Sequence, residues 1–80
     1  MTQMIQTSHQ LERRYTRYTR IADLSTDPRD DYTLSVAADY LRMHPRTLQR
    51  RIEEGRIAGL RDGRCWRVRK AALLAYAGGV

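Results

Sequence analysis

Thr33-Leu34-Ser35-Val36-Ala37-Ala38-Asp39-Tyr40-Leu41, then Arg42-Met43-His44, then Pro45-Arg46-Thr47-Leu48-Gln49-Arg50-Arg51-Ile52, is the stretch that decides the fold. It reads as two short helices joined by a tight turn. Thr33 suits an N-cap, and Tyr32 can cover the first turn as a staple. Leu34, Ala37, Ala38 and Leu41 recur at the spacing of one helical face, and the two alanines let a second helix cross closely. Pro45 biases His44 away from the α region, so the first helix must stop near Arg42. Met43 then plugs the turn. His44 falls where an N-cap belongs, and Pro45 is preset as the first helical residue.

The second helix is expected from Pro45 to about Glu54, ending at Gly55. Leu48 and Ile52 lie four apart and face inward. Arg46, Thr47, Gln49, Arg50 and Glu53 are left on the outer side. Downstream, Ile57 to Leu60 and Arg64 to Val68 read as two short strands around Asp62-Gly63, a strong hairpin signal. Trp66 and Val68 alternate with Cys65 and Arg67, which places Trp66 in the core and leaves Arg61 and Arg64 flanking the tip. Lys70 to Ala77 is expected to be a closing helix. Leu73, Tyr76 and Ala77 seal the core, while Leu74 points elsewhere, either as a contact with another molecule or as an ordinary exposed leucine.

Ahead of this stretch, Thr7 and Gln10 have the spacing of a capping box. Leu11, Tyr15, Tyr18 and Ala22 form one stripe, which predicts a helix from about residue 8 to about residue 22. Tyr15 and Tyr18 fit either core packing or docking on a neighbouring protein, since tyrosine joins a rigid apolar body to a polar tip. Arg13, Arg17 and Arg20 make a second, basic stripe. Residues 23–31, with Pro28 and four aspartates against Arg29, read as an acidic linker: a solvated loop, a shield for the basic surface, or a partner for a neighbour's arginines.

The 80-residue chain carries a net charge of +6, which favours a polyanionic partner. Residues 1–31 balance to zero, so residues 32–80, with ten Arg or Lys against four acids, carry the entire excess. The reading is therefore of an N-terminal helix with an acidic linker over residues 1–31 and a DNA-binding unit over residues 32–80. Cys65 is the single cysteine, which rules out an intrachain disulfide. His9, His44 and Cys65 lack metal-ligand spacing, so no metal and no cofactor are expected. No nucleophile and base pair or phosphate-cradling loop is present, so an enzyme is not expected. No apolar run has the length of a membrane span, and a cytoplasmic protein is expected, without membrane partners.

The outer face of the second helix has what base reading needs. Arginine binds guanine through two parallel hydrogen bonds, glutamine does the same for adenine, and threonine holds phosphate or meets a thymine methyl. A wing arginine (Arg61 or Arg64) can enter a narrow minor groove, where the potential is most negative. Thr33, Arg67 and Lys70 are read as phosphate contacts, and Tyr15, Tyr18 and Leu74 as candidate protein contacts. The fold class is thus mainly α with a small β-hairpin, a winged helix-turn-helix preceded by an extra N-terminal helix.

Thr33, Ala37-Ala38, Leu41, Arg46-Thr47-Leu48, Glu54-Gly55-Arg56-Ile57, Gly63-Arg64-Cys65-Trp66-Arg67-Val68 and Leu73 to Tyr76 together resemble the excisionase-type winged-helix domain, related to the DNA-binding head of MerR regulators. Arg42 and His44 depart from the pattern, which usually has Gly and then Ser or Thr there. The resemblance implies the second helix in the major groove and the wing in the minor groove. It also implies cooperative binding of several copies at adjacent sites, DNA bending, and redirection of a tyrosine integrase toward prophage excision in a bacterial host. The chain has neither the long dimerising helix nor the effector domain of MerR regulators, which favours the stand-alone architectural role. A small phage repressor of MerR-like type is the alternative, and a protein-docking module with an acidic partner is a third reading.

Overall fold

The computed structural model describes residues 16–78. Strand β1 (Asp31–Thr33) leads directly into helix α1 (Leu34–Tyr40), and helix α2 (Pro45–Glu53) follows after a short turn. Strands β2 (Leu60–Asp62) and β3 (Cys65–Arg69) form the wing, and helix α3 (Lys70–Gly78) closes the fold. The architecture is a winged helix-turn-helix, but its sheet has three strands rather than a hairpin alone. β3 is central, with β1 and β2 antiparallel on either side. Tyr32 stands opposite Val68, and Arg61 opposite Trp66.

Tyr32 is therefore more than a staple. As the middle residue of β1 it is almost fully buried. Burial first, and then the Asp27 carboxylate, push its phenol above the usual range, so it stays protonated and donates to the Arg29 carbonyl at 3.3 Å. Thr33 caps α1, its hydroxyl accepting from the Val36 amide at 3.3 Å. The expected face of α1 is rotated slightly: Val36, Ala37 and Ala38 are buried, and Leu34 and Leu41 are only partly so. Ala37 and Ala38 share one core with Leu48 and Ile52 of α2, and Ile57, Val68 and Leu73 complete it. The first wing strand begins later than the expected Ile57. Ile57 is instead a core residue in the loop before β2, and all of β2 is exposed.

The turn between α1 and α2 is held by two backbone bonds, Arg42 N–H to the Asp39 carbonyl at 3.1 Å and Met43 N–H to the Ala38 carbonyl at 3.0 Å. This is a Schellman closure, and it places Arg42 in the left-handed region at φ +57°. The departure from glycine at Arg42 thus falls on the position whose conformation favours glycine. His44 acts as the N-cap of α2, its Nδ1 accepting from the Arg46 amide at 3.0 Å. The far end of α2 closes the same way, through Gly55 and Arg56 onto Ile52 and Arg51.

The expected helix over residues 8–22 lies mostly outside the described residues. Residues 16–22, which are described, are turn and irregular chain rather than helix. Two local contacts explain this. The Thr16 amide and hydroxyl both bond to the Thr19 hydroxyl at 2.9 Å, and such side-chain bonds compete with helical pairing. Arg29 then takes the Thr16 and Thr19 carbonyls. The inward residues are accordingly Ile21 and Leu24, both in the core, and not the Tyr18 and Ala22 of the helical stripe.

The acidic stretch is likewise not a solvated loop: together with residues 16–22 it forms a strap tied to the domain. Asp27 is buried and pairs with Arg29 at 2.7 Å. Asp31 pairs with Arg67, the Asp27 carbonyl accepts from Lys70 Nζ, and the Asp30 carbonyl takes the Lys70 amide at 2.8 Å.

Candidate nucleic-acid interface

The surface of interest is built on α2 and the wing. With Leu48 and Ile52 buried, the opposite side of α2 must face solvent. Arg46, Arg50 and Glu53 are exposed there, and Thr47 and Gln49 are half-buried. Arg50 and Arg51 lie in the last turn, where cations suit the helix dipole. Arg51 is also anchored, donating to the Tyr76 hydroxyl of α3, which fixes the C-terminal end of the rod against the core.

The wing is short. Asp62 stands opposite Cys65, which leaves Gly63 and Arg64 as a two-residue loop. Only Gly63 has a positive φ, +62°, as the first central position of a type II′ turn requires. The two wing arginines part company here. Arg64 is exposed and lines a groove shared with Gln49 of α2. Arg61 folds back, its guanidinium 5.2 Å from the centre of the Trp66 ring and its Nε donating to the Gly63 carbonyl at 3.2 Å. Trp66 is half-buried against the core, and its indole N–H is the one buried side-chain polar atom without a partner among the described residues. Arg61 braces the wing where Arg64 reaches outward.

The groove between α2 and the wing has a volume of about 340 Å³. Its floor is apolar, formed by Leu34, Pro45 and Trp66. Arg17, Arg64 and Arg67 supply its charge, and no carboxylate lines it. Thr33 also lines it, though its hydroxyl is occupied in capping α1. The structure therefore brings Thr33, Gln49, Arg64 and Arg67 together, with Arg67 held by Asp31. Lys70 is directed instead onto the strap, at the Asp27 carbonyl. Leu74 is 49% exposed on α3 and does not border the groove. Tyr15 lies outside the described residues.

Sequence reasoning missed two contributors. Tyr18, expected in the core or at a protein contact, is 69% exposed and lines this groove beside Arg17. Arg29, taken as one charge of a linker, pins the strap on which both stand. The available signal was Asp27-Pro28-Arg29: the Asp27 carboxylate accepts from the Arg29 amide two residues on, at 2.9 Å, the Asx turn that Asp before Pro favours.

A basic groove of this shape beside an exposed polar helix face suits a duplex. Comparison with known families agrees: the family described as helix-turn-helix domain matches residues 32–79. The chain belongs to the helix-turn-helix domain family. No curated protein and no solved structure matches the chain. In a helix-turn-helix domain the second helix of the pair is the rod that enters the major groove. Here that rod is α2, so double-stranded DNA is the ligand the domain suggests. The match begins at Tyr32, so the strap carrying Arg17 and Tyr18 stands ahead of the helix-turn-helix domain. No helix among the described residues is long and apolar enough to cross a membrane, and no cluster there could hold a metal ion.

Proposed function

We propose that this helix-turn-helix domain is an excisionase-type architectural protein, binding DNA site-specifically, bending it, and steering a tyrosine integrase toward excision of a prophage. The observation that carries the reading is the shared groove: Gln49 on the rod and Arg64 on the wing line one trough, with Arg46 and Arg50 exposed on the same rod. Arg46, Thr47, Gln49, Arg50 and Glu53 read base edges in the major groove. Arg64 enters the adjoining minor groove, with Arg61 supporting the wing. Thr33 and Arg67 meet the intervening backbone, and Lys70 adds charge from behind.

One domain of this size makes only about 4 to 7 phosphate contacts, which gives a salt slope of about −4 to −6 per monomer. Bending a site of about 20 to 30 base pairs costs on the order of 1 to 6 kcal/mol. Neighbouring copies therefore have to supply part of the free energy. Leu74 and Leu60, both exposed apolar side chains, are suited to that contact.

The test is footprinting and circular-permutation gel shift on duplexes recovered from a random-sequence library. Cooperative occupancy of direct repeats with a strong bend is expected. Symmetric occupancy of an inverted repeat by a dimer, without bending, would instead indicate a small repressor.

A further inference from the structure

We infer that the strap ahead of the helix-turn-helix match is a third element of the DNA interface, in which Arg17 pairs with a backbone phosphate and Tyr18 braces that arginine. The inference rests on the DNA-binding reading above and adds to it a contact that the matched domain does not contain.

Position comes first. Arg17 and Tyr18 line the same groove as Gln49 of the rod and Arg64 of the wing. A strand lying between rod and wing must pass them. Its sugars can rest on the apolar floor while its phosphates meet the cationic rim.

Charge comes second. The groove is lined by Arg17, Arg64 and Arg67 and by no carboxylate, and since Arg67 is paired with Asp31 its uncompensated charge comes from Arg17 and Arg64. No carboxylate of the described residues lies within ion-pair distance of Arg17, whereas Arg20, three residues on, is committed to Asp39 at 3.0 Å. Arg17 does border Asp30 and Asp31 on its other flank. Asp31, however, is already engaged by Arg67.

Rigidity comes third. A flexible arginine would lose much of its affinity in ordering itself. Here one guanidinium nitrogen of Arg29 holds the Thr16 and Thr19 carbonyls at 2.8 Å each, bracketing residues 17 and 18. The Thr33 hydroxyl approaches the Arg17 carbonyl at 3.5 Å. The Arg17 guanidinium lies 5.5 Å from the centre of the Tyr18 ring, within cation–π range. Tyr18 contributes nothing to the core that would otherwise account for this placement.

The experiment uses the full chain and a fluorescein-labelled duplex that the wild type enriches from a random-sequence library. Dissociation constants are measured across a potassium chloride series for wild type, Arg17→Ala, Tyr18→Ala and Arg20→Ala, with circular dichroism melts confirming that each variant is folded. Arg17→Ala is expected to weaken binding about tenfold at low salt, to make the salt slope shallower by about 0.9, and to do so equally on enriched and scrambled duplexes. Tyr18→Ala is expected to weaken binding to a smaller degree, and Arg20→Ala to leave the salt slope at the wild-type value. Arg17→Ala behaving like Arg20→Ala on a wild type that binds would overturn the strap's role and leave the helix and wing reading standing. A wild type that enriches no duplex and binds only as heparin-like polyanions bind would overturn both.

Discussion

Arg29 and Asp27 form a closed pair at the root of the strap. Arg29 Nη2 and Nε donate to the two carboxylate oxygens of Asp27 at 2.7 and 2.9 Å, and the Asp27 side chain is only 1% exposed. The remaining nitrogen, Nη1, reaches the carbonyls of Thr16 and Thr19. One side chain thus neutralises a buried carboxylate and holds a turn. Breaking a buried pair from one side leaves an uncompensated charge, at a cost of about 3 kcal/mol. Arg29→Ala is expected to destabilise the domain by that order in urea unfolding, and to weaken DNA binding even where the protein remains folded.

The same pair sets an acid limit. Hydrogen bonding from Arg29 is the largest influence on Asp27 and, against the opposing effect of burial, holds its carboxyl below the ordinary value of 3.8. A carboxyl whose folded pKa is depressed contributes stability above its unfolded pKa, and that contribution is lost as pH falls through the folded one. Wild type is therefore expected to lose stability progressively below about pH 4. Asp27→Asn, less stable at neutral pH, should show a flatter acid limb in melts taken from pH 6 to pH 2.

Arg42 sits at φ +57° in the turn between α1 and α2. A non-glycine residue in that region is strained by about 1 kcal/mol, partly offset by the greater freedom glycine has when unfolded. Arg42→Gly is expected to raise stability by about 0.5 kcal/mol, read as a higher melting temperature. A lower one would show that the arginine side chain makes a contact outweighing the strain.

Gly59 approaches the core closely. A Cβ there would stand 2.6 Å from Cγ2 of Ile52, the inward residue at the end of the rod. Gly59→Ala is expected to destabilise by about 1 to 3 kcal/mol, the usual cost of overpacking. Because Ile52 is displaced, duplex affinity should fall with it. An unchanged melting temperature would show that Ile52 can turn aside.

The helix pair was legible in the sequence because each boundary is local. Thr33, His44, Pro45 and Gly55 act through their own side chains or backbone preferences, and all four sit at helix ends in the structure. The outward set on α2 followed from Leu48 and Ile52 by periodicity alone. Long-range pairings were not legible. β1 exists because Tyr32 meets Val68, 36 positions away, and nothing in Asp31-Tyr32-Thr33 alone marks a strand. The strap is hidden for the same reason: the tyrosine spacing favours a helix, but Arg29 reaches back across it, and in sequence a buried Asp27 is like any aspartate of an acidic loop. Nothing in the sequence separates Arg61 from Arg64; the contact with the Trp66 ring does.

Loss of a base contact and loss of a phosphate contact leave different signatures. Gln49→Ala is expected to relax preference at one position of the enriched site, costing about 1 to 3 kcal/mol there and little on scrambled duplex. Arg64→Ala should reduce affinity and the bend angle together, while Arg61→Ala should act mainly by loosening the wing. Competition binding with single-base variants checks the first, and circular-permutation gel shift the others.

On bound DNA, α2 is expected to lie along base edges with Arg64 in the adjoining minor groove. Titrating isotope-labelled protein with its enriched duplex and following amide chemical shifts tests this placement most directly. The largest perturbations are expected at Arg46, Thr47, Gln49, Arg50 and Arg64, with smaller ones around Leu74 where neighbouring copies meet. Perturbations concentrated on α3 around Leu74, with the α2 residues unmoved, would contradict it.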